Sequence, residues 1–122
     1  MEQIRIEEAR TEVAPDGSLV HVLTAVPGAS TAHFTLEPGR VSTAVRHRTV
    51  SEAWFVLAGA GRVWREDAGV LELSPGLSFT IPAGTAFQFA SDGEEPLRIL
   101  GVTAPPWPGG DEAVVVEGPL RS

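Results

Sequence analysis

Residues 38–61 read PGRVSTAVRHRTVSEAWFVLAGAG, and residues 75–91 read PGLSFTIPAGTAFQFAS. Both segments begin with a Pro-Gly pair, and the runs that follow are rich in valine, phenylalanine and threonine. Such runs, separated by turn residues, are typical of β-strands. Further turn signals divide the flanking sequence at similar short intervals, at residues 15–17, 27–28, 68–69 and 92–93. The pattern predicts an all-β sandwich or barrel.

The spacing within these two segments resembles the two sequence motifs of the cupin superfamily. The first cupin motif is G-x5-H-x-H-x3,4-E-x6-G, and the second is G-x5-P-x-G-x2-H-x3-N. Three histidines and the glutamate of these motifs normally hold a divalent metal inside a small β-barrel. The residues that match are Gly39, His47, Glu52 and Gly59 in the first segment and Gly76, Pro82 and Gly84 in the second.

Half of the metal-binding positions of the motifs are altered. Val45 stands where the first histidine belongs, Phe87 replaces the third histidine, and Ser91 replaces the asparagine. The resemblance therefore implies the barrel, while the residues that specify a reaction are those that differ most.

The resemblance implies one cupin domain over residues 1–122, a double-stranded β-helix or jelly-roll barrel. Motif one covers residues 38–61, motif two covers residues 75–91, and an extended Pro-rich tail covers residues 104–122. Within the tail, Trp107 lies among three prolines. A tryptophan in this setting is either a recognition ligand or an anchor for the tail on its own barrel, and we favour the anchor.

Two segments are harder to assign from the sequence. Residues 40–58 lack glycine and proline and could present a helical face, but their β-branched content favours two strands, at 42–47 and 52–58. Residues 3–7 alternate apolar and polar side chains, which predicts an edge strand or an exchanged strand.

Alternation along these strands gives the predicted site. His47 and Glu52 lie at motif spacing, and side chains two residues apart share a face of a strand. The resemblance implies that these faces meet in the barrel. The predicted ligand-binding residues are His47, Glu52, Trp54, Phe87, Phe89, His33 and Thr35, with His47 and Glu52 as the catalytic candidates.

His33 and Thr35 depend on the orientation of a strand predicted at residues 31–37. If its apolar members pack outward, His33 and Thr35 line the pocket; otherwise His33 is a surface residue. His21 is assigned to the surface. An alternative to the ligand-binding site is that His47 and Glu52 only satisfy each other as a buried pair.

Two protein ligands rarely hold a transition metal, so the sequence predicts no metal cofactor. The alternative is a two-histidine, one-carboxylate site for iron, manganese, nickel or zinc, built from His33, His47 and Glu52.

Composition excludes several classes of function. The chain has a net charge of −7, which argues against binding nucleic acid. It contains no cysteine, lysine, tyrosine or asparagine, so thiolate, Schiff-base and tyrosine chemistry are absent. No apolar run is long enough to span a bilayer, and we expect a cytoplasmic protein without membrane contact.

Three functions remain open at this point. The first is a metal-independent or weakly metal-binding cupin that binds a small molecule. The second is an enzyme, either an isomerase or epimerase or a dioxygenase, that uses His47 and Glu52. The third is an assembly module with a vestigial pocket. We expect a homodimer, because an unpaired edge at residues 3–7 invites pairing and because single-domain cupins commonly dimerise. The lack of lysine argues against phosphosugar ligands.

Overall fold

A computed structural model describes residues 2–121 of the chain. These residues form two antiparallel sheets that face each other and enclose a shared core. The strands are β1 (Thr11–Val13), β2 (Leu19–Val26), β3 (Ala29–Leu36), β4 (Val45–His47), β5 (Ser51–Ala58), β6 (Gly61–Arg65), β7 (Gly69–Leu73), β8 (Ser78–Ile81), β9 (Ala86–Ser91), β10 (Leu97–Ala104) and β11 (Ala113–Val115). Two short 3-10 turns occupy Ile6–Glu8 and Gly110–Glu112.

The six-stranded sheet has the order β1-β2-β3-β10-β5-β8, and the five-stranded sheet has the order β11-β4-β9-β6-β7. The chain therefore crosses between the sheets repeatedly. This arrangement confirms the predicted all-β, double-stranded β-helix fold. Residues 2–121 contain no helix with the length and apolar character that crossing a membrane requires.

Period-two alternation decides which side chains reach the core. In β5 every second residue is buried, so Glu52, Trp54 and Val56 face inward while their neighbours are exposed. The buried apolar cluster between the sheets comprises Val20, Phe34, Leu36, Val45, Trp54, Val56, Val63, Leu73, Phe79, Ile81, Phe87, Phe89, Leu97 and Ile99.

Gly59 and Gly101 are among the glycines that close approach requires. Gly59 has a φ of 88°, and a Cβ there would lie 2.6 Å from the carbonyl oxygen of Pro96. Gly101 on β10 is covered by the ring of Phe34, whose nearest carbon would lie 2.5 Å from an added Cβ. Gly59 thus closes motif one as a turn, and Gly101 lets the Phe34 ring lie flat against the sheet.

The predicted strand at residues 3–7 is wrong. Residues 2–5 lie outside any regular element, and Ile6–Glu8 form a 3-10 turn with exposed side chains. The segment has only two apolar side chains, too few to hold a strand against the barrel. The edge of the six-stranded sheet is instead β1, which is exposed along its length. The homodimer stays a prediction.

Residues 40–58 form two strands, as predicted, although the first is shorter than expected. It is limited to Val45–His47, and Val41 makes only an isolated bridge to Ala90. Serine and threonine precede it. The side-chain hydroxyl of Ser42 accepts a hydrogen bond from the backbone of Phe89, which replaces regular pairing there.

Candidate functional site

His47 and Glu52 are brought together by the turn that joins β4 to β5. A carboxylate from the tail holds this turn: Glu112 accepts hydrogen bonds from the backbone N–H of Thr49, from its hydroxyl at 3.0 Å, and from the N–H of Val50 at 2.8 Å. Burial raises the pKa of Glu112, but these hydrogen bonds to its ionised form outweigh burial and the pKa lies below the ordinary 4.5. The tail therefore fixes the segment that carries both candidates.

The carboxylate of Glu52 is shared between two partners. One oxygen, Oε2, lies 2.9 Å from Nδ1 of His47, within ion-pair distance although the ring N–H does not point squarely at it. The other oxygen, Oε1, accepts a hydrogen bond from Nε1 of Trp54 at 2.9 Å. His47, Glu52 and Trp54 are all buried. The three side chains lie in contact beside the apolar core.

A cavity of about 270 Å³ lies between the inner face of the six-stranded sheet, β4 and the tail. His47, Glu52 and Trp54 lie in its wall, and Val45 lies beside them. Nδ1 of His47 lies beside Glu52, and Nε2 is the other nitrogen of the ring. A mostly apolar cavity with a few oriented polar groups is the usual form of a small-molecule site.

The tail closes one side of this cavity. The ring of Trp107 meets that of His47 edge-on, with centroids 5.0 Å apart, and its backbone N–H donates a hydrogen bond to the hydroxyl of Ser30. The interpretation of Trp107 as an anchor on its own barrel is confirmed by these contacts. Sequence reasoning did not place Trp107 in the site, because nothing in a Pro-rich tail indicates which strand it will reach.

Phe87 and Phe89 do not line the cavity, contrary to the sequence prediction. Both are fully buried and pack edge-on against Trp54, with centroid distances of 5.6 Å and 5.1 Å. They do face the barrel interior, as the alternation predicted. Both rings contact the indole of Trp54, which lines the cavity, and Phe87 also contacts the ring of His47, so they support the cavity wall from behind.

His33 and Thr35 also lie outside the cavity. The alternation of β3 has the opposite orientation, with Ala32 and Phe34 lining the cavity. The reason is that the apolar side chains of β3 pack in the core, whereas the sequence analysis predicted that they face outward. His33 instead lies across the sheet from His21, with ring centroids 5.7 Å apart. Burial, and then His21 and Arg98, lower the pKa of His33 below 6.5.

Asp16 is a site residue that the sequence analysis missed. It is buried and lines the cavity that also contains His47 and Glu52. Its Oδ1 accepts hydrogen bonds from the N–H and the hydroxyl of Ser18, at 2.8 Å and 2.7 Å. Burial raises the pKa of Asp16, although Ser18 lowers it in part. The Pro15-Asp16-Gly17 sequence indicated only a turn, and a turn aspartate is normally exposed.

The residues at the metal-binding positions do not fit a metal. His47 and Glu52 offer donor atoms, but Val45 and Phe87 have none, and they are direct cross-strand partners in β4 and β9. The alternative ligand set with His33 is excluded, because His33 lies on the other face of β3. Within residues 2–121 no three histidine, aspartate or glutamate side chains are grouped closely enough to hold an ion.

Solved structures similar to this chain share its fold at low sequence identity. Streptomyces Pac13, solved as a variant with uridine, is 16% identical, with a TM-score of 0.77 over 95% of this chain and 90% of that one. Another structure of Pac13, described as a nucleoside dehydratase, is 15% identical with the same TM-score over 95% and 91%. The polyketide cyclase RemF from Streptomyces resistomycificus is 18% identical, with a TM-score of 0.78 over 98% and 87%.

A conserved protein from Klebsiella pneumoniae with a double-stranded β-helix domain is 17% identical, with a TM-score of 0.74 over 97% of this chain and 99% of that one. A search of curated proteins finds no match. The cupin domain model matches residues 32–103, more than half of the chain, and includes both motif segments and the His47–Glu52 pair. With the two-sheet barrel and the motif spacing, this match shows that the chain belongs to the cupin family.

Proposed function

We propose that this protein binds a small, planar and partly apolar molecule in its barrel without a metal ion. The observation that carries the proposal is the position of the His47–Glu52–Trp54 set in the wall of an apolar cavity. A buried pair that only satisfied itself would need no open space beside it. Trp54, Trp107 and Phe34 supply flat apolar surfaces on which a ring can stack.

The similar structures support this proposal in a limited way. Pac13, which has the same fold, has been solved with uridine, a planar base on a sugar. At 16% identity this likeness concerns the fold. It nevertheless makes nucleosides a sensible first set of probes, beside simple aromatic amides.

A thermal-shift screen followed by calorimetric titration tests the proposal. A ligand at about a hundred times its dissociation constant adds about 2.7 kcal/mol to the free energy of unfolding, which is a clear shift. We expect His47→Ala to abolish the shift. His21→Ala is the matched control, because it makes the same truncation on a half-buried histidine that does not line the cavity.

The rival function, a barrel whose pocket is vestigial, predicts a different outcome. His47→Ala would then destabilise the protein by leaving Glu52 buried beside one partner fewer, and no compound would bind the wild type. That combination would reject the proposal.

A second candidate is an enzyme that moves protons. Oε2 of Glu52 lies 2.9 Å from Nδ1 of His47, and Nε2 is the other nitrogen of the ring, a placement that suits a general base beside a carboxylate. Each compound that binds would be incubated in D2O and analysed by mass spectrometry and NMR. Deuterium uptake at carbon, lost in His47→Ala and kept in His21→Ala, would establish catalysis. Binding without uptake or conversion would favour a binding protein.

A further inference from the structure

Asp16 is a buried titratable group of the cavity wall that the proposed function does not use. It lies on the turn before β2, and both hydrogen bonds from Ser18 go to the same oxygen, Oδ1. The second oxygen, Oδ2, takes no part in those bonds. Since Asp16 lines the cavity, this carboxyl group is available to a ligand there.

The charged side chains that line the cavity are unevenly distributed. Asp16 and Glu52 are buried carboxyl groups, and His47 lies beside Glu52. The cation in the lining is Arg10, which is exposed and lies 3.8 Å from Glu12 at the outer end. Arg46 and Arg48, which flank His47 in the sequence, are engaged elsewhere: Arg46 pairs with Glu66 and donates to the carbonyl of Gly84, and Arg48 donates to the carbonyl of Asp111. Arg98 is exposed.

A negative charge at the inner end of this cavity would therefore meet two carboxyl groups and no buried arginine. Burying a charge without an opposite partner is costly, and placing like charges together costs several kcal/mol. A neutral group avoids both costs. A carbonyl, amide or hydroxyl can also exchange hydrogen bonds with a carboxyl group.

We propose that Asp16 is a ligand-binding residue of this cavity and that, together with Glu52, it restricts the ligand to molecules with no negative charge at the buried end. The ligand class is a neutral planar compound whose inner end carries a carbonyl, amide or hydroxyl group. This inference rests on the proposed function, because it concerns the same cavity.

The competing explanation is that Asp16 only shapes its turn through Ser18. An aspartate that accepts hydrogen bonds two residues ahead is a common turn element. This explanation predicts that an amide at position 16 changes stability at most and leaves ligand preference unchanged. Ligand preference is therefore the measurement that separates the two.

The experiment uses neutral and carboxylate probes matched in shape: nicotinamide with nicotinate, benzamide with benzoate, and orotamide with orotate. Calorimetric titration at neutral pH should give an affinity about tenfold or more higher for the neutral member, equivalent to about 1.4 kcal/mol. Asp16→Asn keeps the shape of the side chain and an acceptor for Ser18. It should bring the two affinities within about threefold by strengthening carboxylate binding.

Asp67→Asn is the matched control, since Asp67 is exposed in the turn between β6 and β7. It should leave the ratio unchanged. If Asp16→Asn does not fold, as judged by its circular dichroism, Glu52→Gln tests the same point by removing the other inner carboxylate while keeping an acceptor for Trp54.

The outcomes separate this inference from the proposed function. Equal wild-type affinity for both members of a pair, or an unchanged ratio in Asp16→Asn, overturns the role of Asp16 while leaving the pocket a binding site. If no probe of either charge binds, and uridine does not bind, both the inference and the proposed function are rejected.

Discussion

The two motif segments of this barrel differ in the side chains that they present to the cavity. Residues 38–61 keep a polar pair, His47 and Glu52, that lies in the wall of the cavity. Residues 75–91 keep the turns, but their aromatic residue at the third histidine position, Phe87, is fully buried beneath Trp54. One segment places polar side chains in the cavity wall, and the other contributes its aromatic residue to the core.

The two altered motif positions lie opposite each other on neighbouring strands. Val45 and Phe87 are direct cross-strand partners, so an apolar pair now lies where two metal ligands belong in the motif. Apolar cross-strand pairs stabilise a sheet, whereas a single histidine left among them would be unpaired. The comparison indicates that the barrel is maintained by its turns and packing, independently of the chemistry that it carries.

Truncating Phe87 should give the largest effect. Phe87→Ala removes a fully buried ring that contacts Trp54 and His47, and we expect it to lower the free energy of unfolding by about 3–5 kcal/mol. The measurement is urea unfolding. Phe55→Ala, at a position 42% exposed on the outer face, is the matched control and should cost far less. Similar losses at both positions would contradict the assignment of Phe87 to the core.

Placing histidines at the two altered motif positions should restore metal binding. The double variant Val45→His/Phe87→His would place four donor side chains at the motif positions. We expect it to bind about one zinc, nickel or manganese ion per chain, and metal at about a hundred times its dissociation constant should raise the free energy of unfolding by about 2.7 kcal/mol. Elemental analysis after purification without chelator is the measurement. A wild-type chain that already carries stoichiometric metal would contradict the conclusion that the altered positions no longer form a metal site.

Detaching the tail should weaken the segment that keeps the polar pair. Glu112→Ala removes the carboxylate that binds the turn between β4 and β5, and we expect a loss of about 1.5–3 kcal/mol. Ligand binding should weaken as well, because the same tail carries Trp107. Glu117→Ala, an exposed tail residue, is the control. Unfolding in urea that is unchanged by Glu112→Ala would show that the turn holds without the tail.

Acid titration should show the smallest effect. Burial raises the pKa of Asp16 above 3.8, so the folded chain keeps this proton to higher pH than the unfolded chain. The resulting stabilisation is present below pH 3.8 and is lost as the pH rises through the folded-state pKa. From about pH 4 to about pH 7, the free energy of unfolding of the wild type should therefore fall relative to that of Asp16→Asn. Parallel pH profiles would contradict this expectation.

The sequence predicted most of the strands and turns of the barrel, but only part of the candidate site. Turn residues and motif spacing identified the barrel, and residues 52–58 were predicted within one residue of β5. The pair of His47 and Glu52 was found because the two residues lie at motif spacing. Local spacing gives contacts of this kind, since β4 and β5 are consecutive in the chain and a short turn joins them.

The site residues that the sequence analysis missed are placed by contacts between distant parts of the chain. Asp16 and Trp107 reach the cavity from the two ends of the domain, and no local pattern indicates where they lie. The orientation of β3 was wrong because alternation shows that two faces exist but not which one packs against the core. Phe87 and Phe89 face inward as predicted, yet they contact the indole of Trp54 and do not line the cavity.

The position of two indoles around His47 gives the molecule its own optical reporter. Trp107 contacts the imidazole from the tail, and Trp54 donates its indole N–H to Glu52, the carboxylate beside His47. The third indole, Trp64, belongs to β6 and does not line the cavity. A compound that enters the cavity must change the polarity around Trp54 and Trp107, so their emission would report occupancy without a label. In a Trp64→Phe background, the intrinsic fluorescence of the protein would come from the site alone.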